Sequence, residues 1–295
     1  MNKLLEGSYD LHVHSAPDVL PRLMDDIEMG KRIPEAGMAG YAIKSHYFCT
    51  AERAELIRKL FPKCEAIGTI TLNSAVGGYN PSAVEMAGRA GAKLVWFPTC
   101  DNSHERAYVF NGDPNKKLPY WAQILIQMDK EGISAPTVDA LDEQGNLKNE
   151  VITVLEIIAK HNMILATSHI SHEECFAVVK EAHARGVKNI VITHVDFPTT
   201  FYTIEEQKEL AKYGAVMEHC YTTWATNKID FSVSLEQIKA LGPNNVIIST
   251  DLGQKTSIYP DQGMEKYVEK LLEAGISEDD VRKMVVSNQR RLLGK

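Results

Sequence analysis

A chain of 295 residues with 44% apolar and 24% charged residues can bury a large core, which argues against disorder. A net charge of −7, with 32 Lys and Arg scattered rather than gathered into a stripe, argues against nucleic acid as a partner. Five cysteines without a C-x-x-C pair set aside a disulfide framework and a thiolate zinc site. No apolar window approaches the roughly 18 residues of a membrane span, and MNKLLEGSYD has no leader pattern, so a cytoplasmic protein without a membrane partner is expected.

In chain order, eight short apolar runs read as strands: YDLHVH (9–14), GYAIKSH (40–46), EAIGTITLN (65–73), KLVWFPT (93–99), MILATSH (163–169), NIVITH (189–194), GAVMEHCY (214–221) and NVIISTD (245–251). Helical patterns fill the gaps at Asp25–Ala36, Ala51–Leu60, Ser82–Ala90, Glu150–His161, His172–Arg185, Ile204–Tyr213 and Leu235–Leu241. Glycines follow several of them, and Pro34 is expected to shorten or kink the first. Strands alternating with helices, several apolar on both faces, predict a closed (β/α)8 TIM barrel. The fourth and fifth strands stand about 70 residues apart, so an insertion between strand 4 and strand 5 is expected, at about 101–147. It holds Tyr108, Phe110, Tyr120 and Trp121, then a turn at Gly145 suited to a small hairpin. It reads either as a lid or as a contact in a homo-oligomer. The chain closes with an amphipathic helix in SEDDVRKMVVSNQRRLLGK, and residues 1–295 read as a single domain.

In such a barrel, functional groups project from the C-terminal ends of the strands. Those ends carry His12-x-His14, Lys44-Ser45-His46, His169, His194, Glu218-His219 and Asp251. His12 and His14 share a face, and with His169 and Asp251 they offer a three-nitrogen, one-oxygen set suited to a divalent ion such as zinc. Such an ion lowers the pKa of its water to about 7. His194 reads as a second-metal ligand or a partner to the substrate. Glu218 and His219 point to opposite faces, so at most one faces the lumen, and His219 is a candidate substrate contact. An ammonium at Lys44 would repel a metal unless it is deprotonated, carbamylated to a bridging carboxylate, or reserved for a substrate anion; a solvated lysine at the mouth is the alternative. His46 shares its parity, and Arg22 could clamp a substrate carboxylate bidentately.

The ordered set His12, His14, His169, His194 and Asp251 resembles the amidohydrolase superfamily over essentially the whole chain, and NQRRLLG looks like that family's closing helix. The resemblance implies that His12, His14 and Asp251 hold one metal and that Asp251 passes a proton from water to the leaving group. Two-metal members usually place a carbamylated lysine at the end of strand four, where this chain has Phe97-Pro98-Thr99. Lys44 on strand two stands where other members recruit the bridge, and its parity favours two metals. One-metal members, resembling adenosine and cytosine deaminases, would put His169 on the ion and leave His194 to polarise the substrate. The opening DLHVHSAPD also looks like the polymerase-and-histidinol-phosphatase phosphoesterases, but their closing Asp-x-His is replaced by Asp251-Leu252-Gly253.

These residues imply a metal-dependent hydrolase acting on an amide, cyclic amide, ester or lactone of a small molecule, with Arg22 and Lys44 hinting at an anionic one. The cofactor expected is zinc, one or two ions, with manganese or iron as substitutes. The alternatives are a one-metal decarboxylase, resembling those acting on aminocarboxymuconate semialdehyde, a deaminase, and a non-catalytic binding barrel.

Overall fold

The computed structural model describes residues 3–113 and 117–295; residues 114–116, inside the expected insertion, and residues 1–2, at the start of the segment read as leaderless, lie outside the described residues. Eight strands form one sheet in sequence order: β1 (Tyr9–Val13), β2 (Gly40–Ile43), β3 (Glu65–Thr71), β4 (Leu94–Trp96), β5 (Ile164–Ala166), β6 (Asn189–Ile192), β7 (Ala215–Cys220) and β8 (Val246–Ser249). Each pairs in parallel with the next. The helices are α1 (Asp26–Glu35), α2 (Ala51–Leu60), α3 (Pro81–Arg89), α4 (Ser103–Val109), α5 (Tyr120–Lys130), α6 (Asn149–Lys160), α7 (His172–Ala184), α8 (Ile204–Ala211), α9 (Tyr221–Ala225), α10 (Phe231–Leu241), α11 (Pro260–Glu273), α12 (Glu278–Arg282) and α13 (Asn288–Leu292). This is the (β/α)8 barrel, with α4 and α5 inserted between β4 and the barrel helix α6. No described helix is long and apolar enough to cross a membrane.

Local chemistry explains most boundaries. Capping boxes start α7 at Ser171 and α8 at Thr203. Asp230 caps α10 by accepting from the Ser232 amide, so that helix begins at Phe231, four residues before the expected Leu235. Pro34 sits in the last turn of α1, which ends one residue later, so the proline terminates the helix without breaking its middle. At Gly145, with φ +80°, a turn closes the expected hairpin, reduced to one bridge between Leu141 and Leu147.

Strand alternation sorts side chains into two cores. Ala42, Trp96, Ala166, Val191, Val216 and Ile247 belong to an inner cluster, while Ile43, Val95, Leu165, Ile192, Met217 and Ile248 join the larger cluster under the helices. The parity of Ala42 carries Lys44 inward, and that of Val216 carries Glu218. β1 breaks the rule: Tyr9 and Leu11 are inner and Val13 outer, because one extra residue lies between Asp10 and Val13 relative to β2. This bulge turns His12 inward, to 4.5 Å from the Trp96 ring.

The strands are shorter than the apolar runs suggest. β1 stops before His14, β2 before Lys44 and β8 before Asp251. Of five described non-glycine residues with positive φ, three (Ser168, His194 and Asp251) stand just beyond β5, β6 and β8, in a left-handed conformation a β ladder does not accommodate.

β1 and β8 close the barrel with few backbone bonds. The Asp251 amide donates to His12 O (2.9 Å) and the His14 amide to Leu252 O (2.8 Å), beside a single bridge between Val13 and Leu252. Deeper in the seam, the buried Asp10 carboxylate accepts from the Thr250 amide (3.1 Å) and hydroxyl (2.5 Å), while burial pushes its pKa up to about 7. At the other end Gln289, on α13, accepts from the Tyr9 amide and donates to Ile248 O. Gly253 is obligatory here: its φ is +132°, and a Cβ would stand 1.7 Å from His14 O. Gly253→Ala should therefore lower unfolding free energy by more than about 3 kcal/mol in urea titration; a wild-type midpoint would show that the seam tolerates a side chain.

Candidate metal centre

The seam delivers three side chains to one point. His12 Nε2 lies 3.1 Å and His14 Nε2 3.2 Å from the same Asp251 Oδ1. A tetrahedral ion with bonds of about 2.0 to 2.1 Å separates its ligand atoms by about 3.3 Å, so these donors have the spacing of a metal's ligand edge. His12 and His14 are buried, and Asp251 is held in place by the Thr222 hydroxyl on its Oδ2 (3.2 Å).

The partners of each ring decide which nitrogen has a lone pair to give. His12 Nδ1 faces Glu218 Oε2 at 3.2 Å, so this nitrogen carries the proton and Nε2 points its lone pair at Asp251 Oδ1 and at Lys44 Nζ, 2.9 Å away. Burial and Lys44 push the His12 pKa down, but the Asp251 and Glu218 carboxylates outweigh both and raise it. The pocket thus demands positive charge at His12 Nε2. A proton, the Lys44 ammonium and a metal ion compete for that place. His14 differs: Arg22 Nη2 stands 3.3 Å from its Nδ1, so Nε2 holds the proton and donates to Asp251, and ligation there requires Arg22 to give way. Burial raises the Asp251 carboxyl, yet His12 and His14 hold it well below the usual carboxylate range.

A second imidazole pair stands beside the first. His169 Nε2 and His194 Nε2 are 3.1 Å apart, and the His194 ring centroid is 5.9 Å from that of His12. The Thr200 hydroxyl donates to His194 O and so receives His194 Nδ1–H, while His169 Nδ1 faces Glu105 Oε2 at 3.0 Å. His194 Nε2 therefore presents a lone pair, which accepts from His169 Nε2. Burial, then His169, hold the His194 pKa well below its ordinary value, which keeps the ring neutral. The donor chemistry fits a divalent metal at His12, His14 and Asp251, while His169 and His194 offer two further imidazole nitrogens beside it.

The remaining candidates divide. Lys44 is buried over the Trp96 ring, 4.1 Å from its centroid, and is no solvated lysine at the mouth; burial lowers its amine against the pull of Asp251. His46 stacks on His14 at 4.9 Å and contacts the Thr99 hydroxyl. Arg22 lines the cavity, and its Nε and Nη2 both donate to Asp18 Oδ2, so that edge of the guanidinium is occupied. His219 follows the outer parity of Met217, away from the lumen, and its Nδ1 meets Asp196 beside Ser234, so the structure places it outside the cavity and a substrate contact is not carried forward.

Two carboxylates stand behind these rings: Glu218, which the sequence offers as a strand-end candidate without a role, and Glu105, which the strand-end pattern does not reach. Glu218 orients His12 and, through the same Oε2, accepts the His194 amide at 3.2 Å. Glu105 arrives from α4 in the insertion; its signal is the acid in DNSHERAY, on a helix whose His104 also contacts Thr199 O. Cys220 Sγ, 3.8 Å from His12 Nδ1, completes another buried triple with Glu218, but burial raises its thiol well above the ordinary value and disfavours a thiolate ligand.

The family described as "Family of unknown function (DUF6282)" matches residues 7–218. The chain belongs to this family. The match takes in every residue above from His12 to Glu218 and ends before Asp251. No curated protein matches this DUF6282 member in sequence. Among solved structures, an amidohydrolase from Pseudomonas aeruginosa is similar at a TM-score of 0.63 and 12% identity, covering 98% of this chain and 96% of its own. A probable dipeptidase from the same organism gives 0.59 at 12% identity (98% and 95% covered), and an organophosphorus hydrolase from Deinococcus radiodurans 0.56 at 13% (98% and 92%). The barrel of the DUF6282 protein thus shares the fold of these three proteins. The phosphoesterase alternative meets a physical obstacle, because its closing histidine would fall at Gly253, where not even a Cβ fits.

If Glu218 fixes the His12 tautomer, Glu218→Gln should weaken zinc binding about 10- to 100-fold in a chelator competition; an unchanged affinity would remove Glu218 from that role.

Proposed function

We propose that this DUF6282 protein is a metal-dependent hydrolase acting on an amide, cyclic amide, ester or lactone carbonyl of a small molecule. The observation that carries the reading is the convergence of His12 Nε2, His14 Nε2 and Asp251 Oδ1, with the paired imidazoles of His169 and His194 close by. His12, His14 and Asp251 would hold one ion, and His169 with His194 a second; Lys44, once carbamylated, would serve as the bridge. Zinc suits nitrogen and carboxylate donors, with manganese or iron as substitutes. When bound, such an ion polarises a carbonyl and makes hydroxide available near neutral pH.

The chain's own groups supply the rest. Asp251, kept ionised by two imidazoles, accepts the proton of the attacking water and hands it to the leaving group. Glu218 would keep the His12 ring, and Glu105 the His169 ring, from rotating. Val109, Trp121 and Phe197 wall the cavity, so α4 and α5 would act as a lid that excludes bulk water.

A one-ion decarboxylase or deaminase is the second reading. It is supported by Lys44 Nζ, which lies where a bound ion would take the His12 lone pair. There His194 would carry its proton on Nε2 and face the substrate.

Zinc-loaded protein should hydrolyse members of a panel of esters, lactones and cyclic amides, and lose that activity in chelator. Asp251→Asn should keep bound metal yet lower turnover by about 10² to 10⁴. Wild-type turnover in that variant would exclude the proton role.

A further inference from the structure

The cavity above the proposed metal ligands measures about 390 Å3. Its acids are spoken for: Asp251 lies against His12 and His14, and Glu105 against His169. Lys117, Lys228 and Lys255 line the same cavity, are exposed, and have no carboxylate within ion-pair distance among the described residues. Three uncompensated ammonium groups around one mouth contrast with a protein whose net charge is −7.

The placement of Lys228 gives a length. Its Nζ lies 4.7 Å from the Phe197 ring centroid, and that ring lies 4.8 Å from the His194 imidazole. The ammonium is thus two short steps from the reacting end, with Phe197 between. Leu20, Val109 and Trp121 continue the apolar lining, so the space between suits a short hydrocarbon spacer. Separate ammonium groups act as point charges and suit a small terminal anion, in contrast to the planar fork of an arginine.

Resting on the hydrolase reading of this cavity, we propose that its substrate is an amide or ester ending in a carboxylate, held by Lys228 and Lys255 across a short apolar spacer.

Two measurements separate this proposal from the reading beneath it. The first compares kcat/KM of the zinc-loaded protein for mono-4-nitrophenyl glutarate and its uncharged counterpart 4-nitrophenyl pentanoate. The charged ester should be favoured about tenfold or more at low ionic strength, with the ratio falling toward one in salt and in the Lys228→Gln/Lys255→Gln double variant, chiefly through KM. Equal use of both esters by the wild type, or a preference that survives in the double variant, overturns the proposal and leaves the hydrolase reading intact. The second is a tryptophan-fluorescence titration of metal-free protein with glutaric acid monoanilide and pentananilide. If neither ester is cleaved, this titration still decides: tighter binding of the acid, lost in the double variant, supports the anion site, and equal binding rejects it.

Discussion

The backbone bonds that close the barrel are made by the residues that form its candidate site. His12 O and the His14 amide pair with Asp251 and Leu252 across the β1–β8 seam, so the step that completes the cylinder also fixes the separation of three candidate ligand side chains. Ordinary ladder pairing would leave these groups less converged. Instead the β1 bulge turns His12 inward, Asp251 takes a left-handed φ of +52°, and Gly253 brings the backbone against His14 without a side chain. Asp10 with Thr250, and Gln289 from below, hold the seam where ladder bonds are lacking.

Around that frame, carboxylates set the chemistry of the imidazoles. Glu218 touches both clusters through one oxygen, joining the orientation of His12 to the strained backbone of His194. Glu105 faces His169 from the inserted segment, which ties that segment to the candidate site. The cost is a deeply buried set of charges, with Lys44 beside Asp251, whose balance improves when a cation occupies the His12 lone pair.

Much of this was legible in the sequence because strands covered on both faces leave apolar runs that end in a few polar residues. The eight runs, the insertion and the closing helix follow from that pattern. Which face is the lumen does not: with both sides apolar, parity pairs residues without naming the inner side. Hence Glu218 and His219 could not be told apart, and His219 proved to face Asp196. The bulge that aims His12 lies in five residues with no glycine or proline to mark it. Arg22 was legible as a cation near the site, but its pairing with Asp18, four residues away in a loop, depends on a fold the local sequence does not specify. Glu105 depends on a helix far from His169 in the chain, so only tertiary structure joins them.

The central claim is that these side chains form a metal centre, and metal content tests it most directly. After zinc loading and desalting, elemental analysis of the wild-type protein should find one or two equivalents of tightly held metal, and His12→Ala should lose at least one of them. A wild-type protein that retains no metal, or a His12→Ala variant that stays fully loaded, would contradict the account.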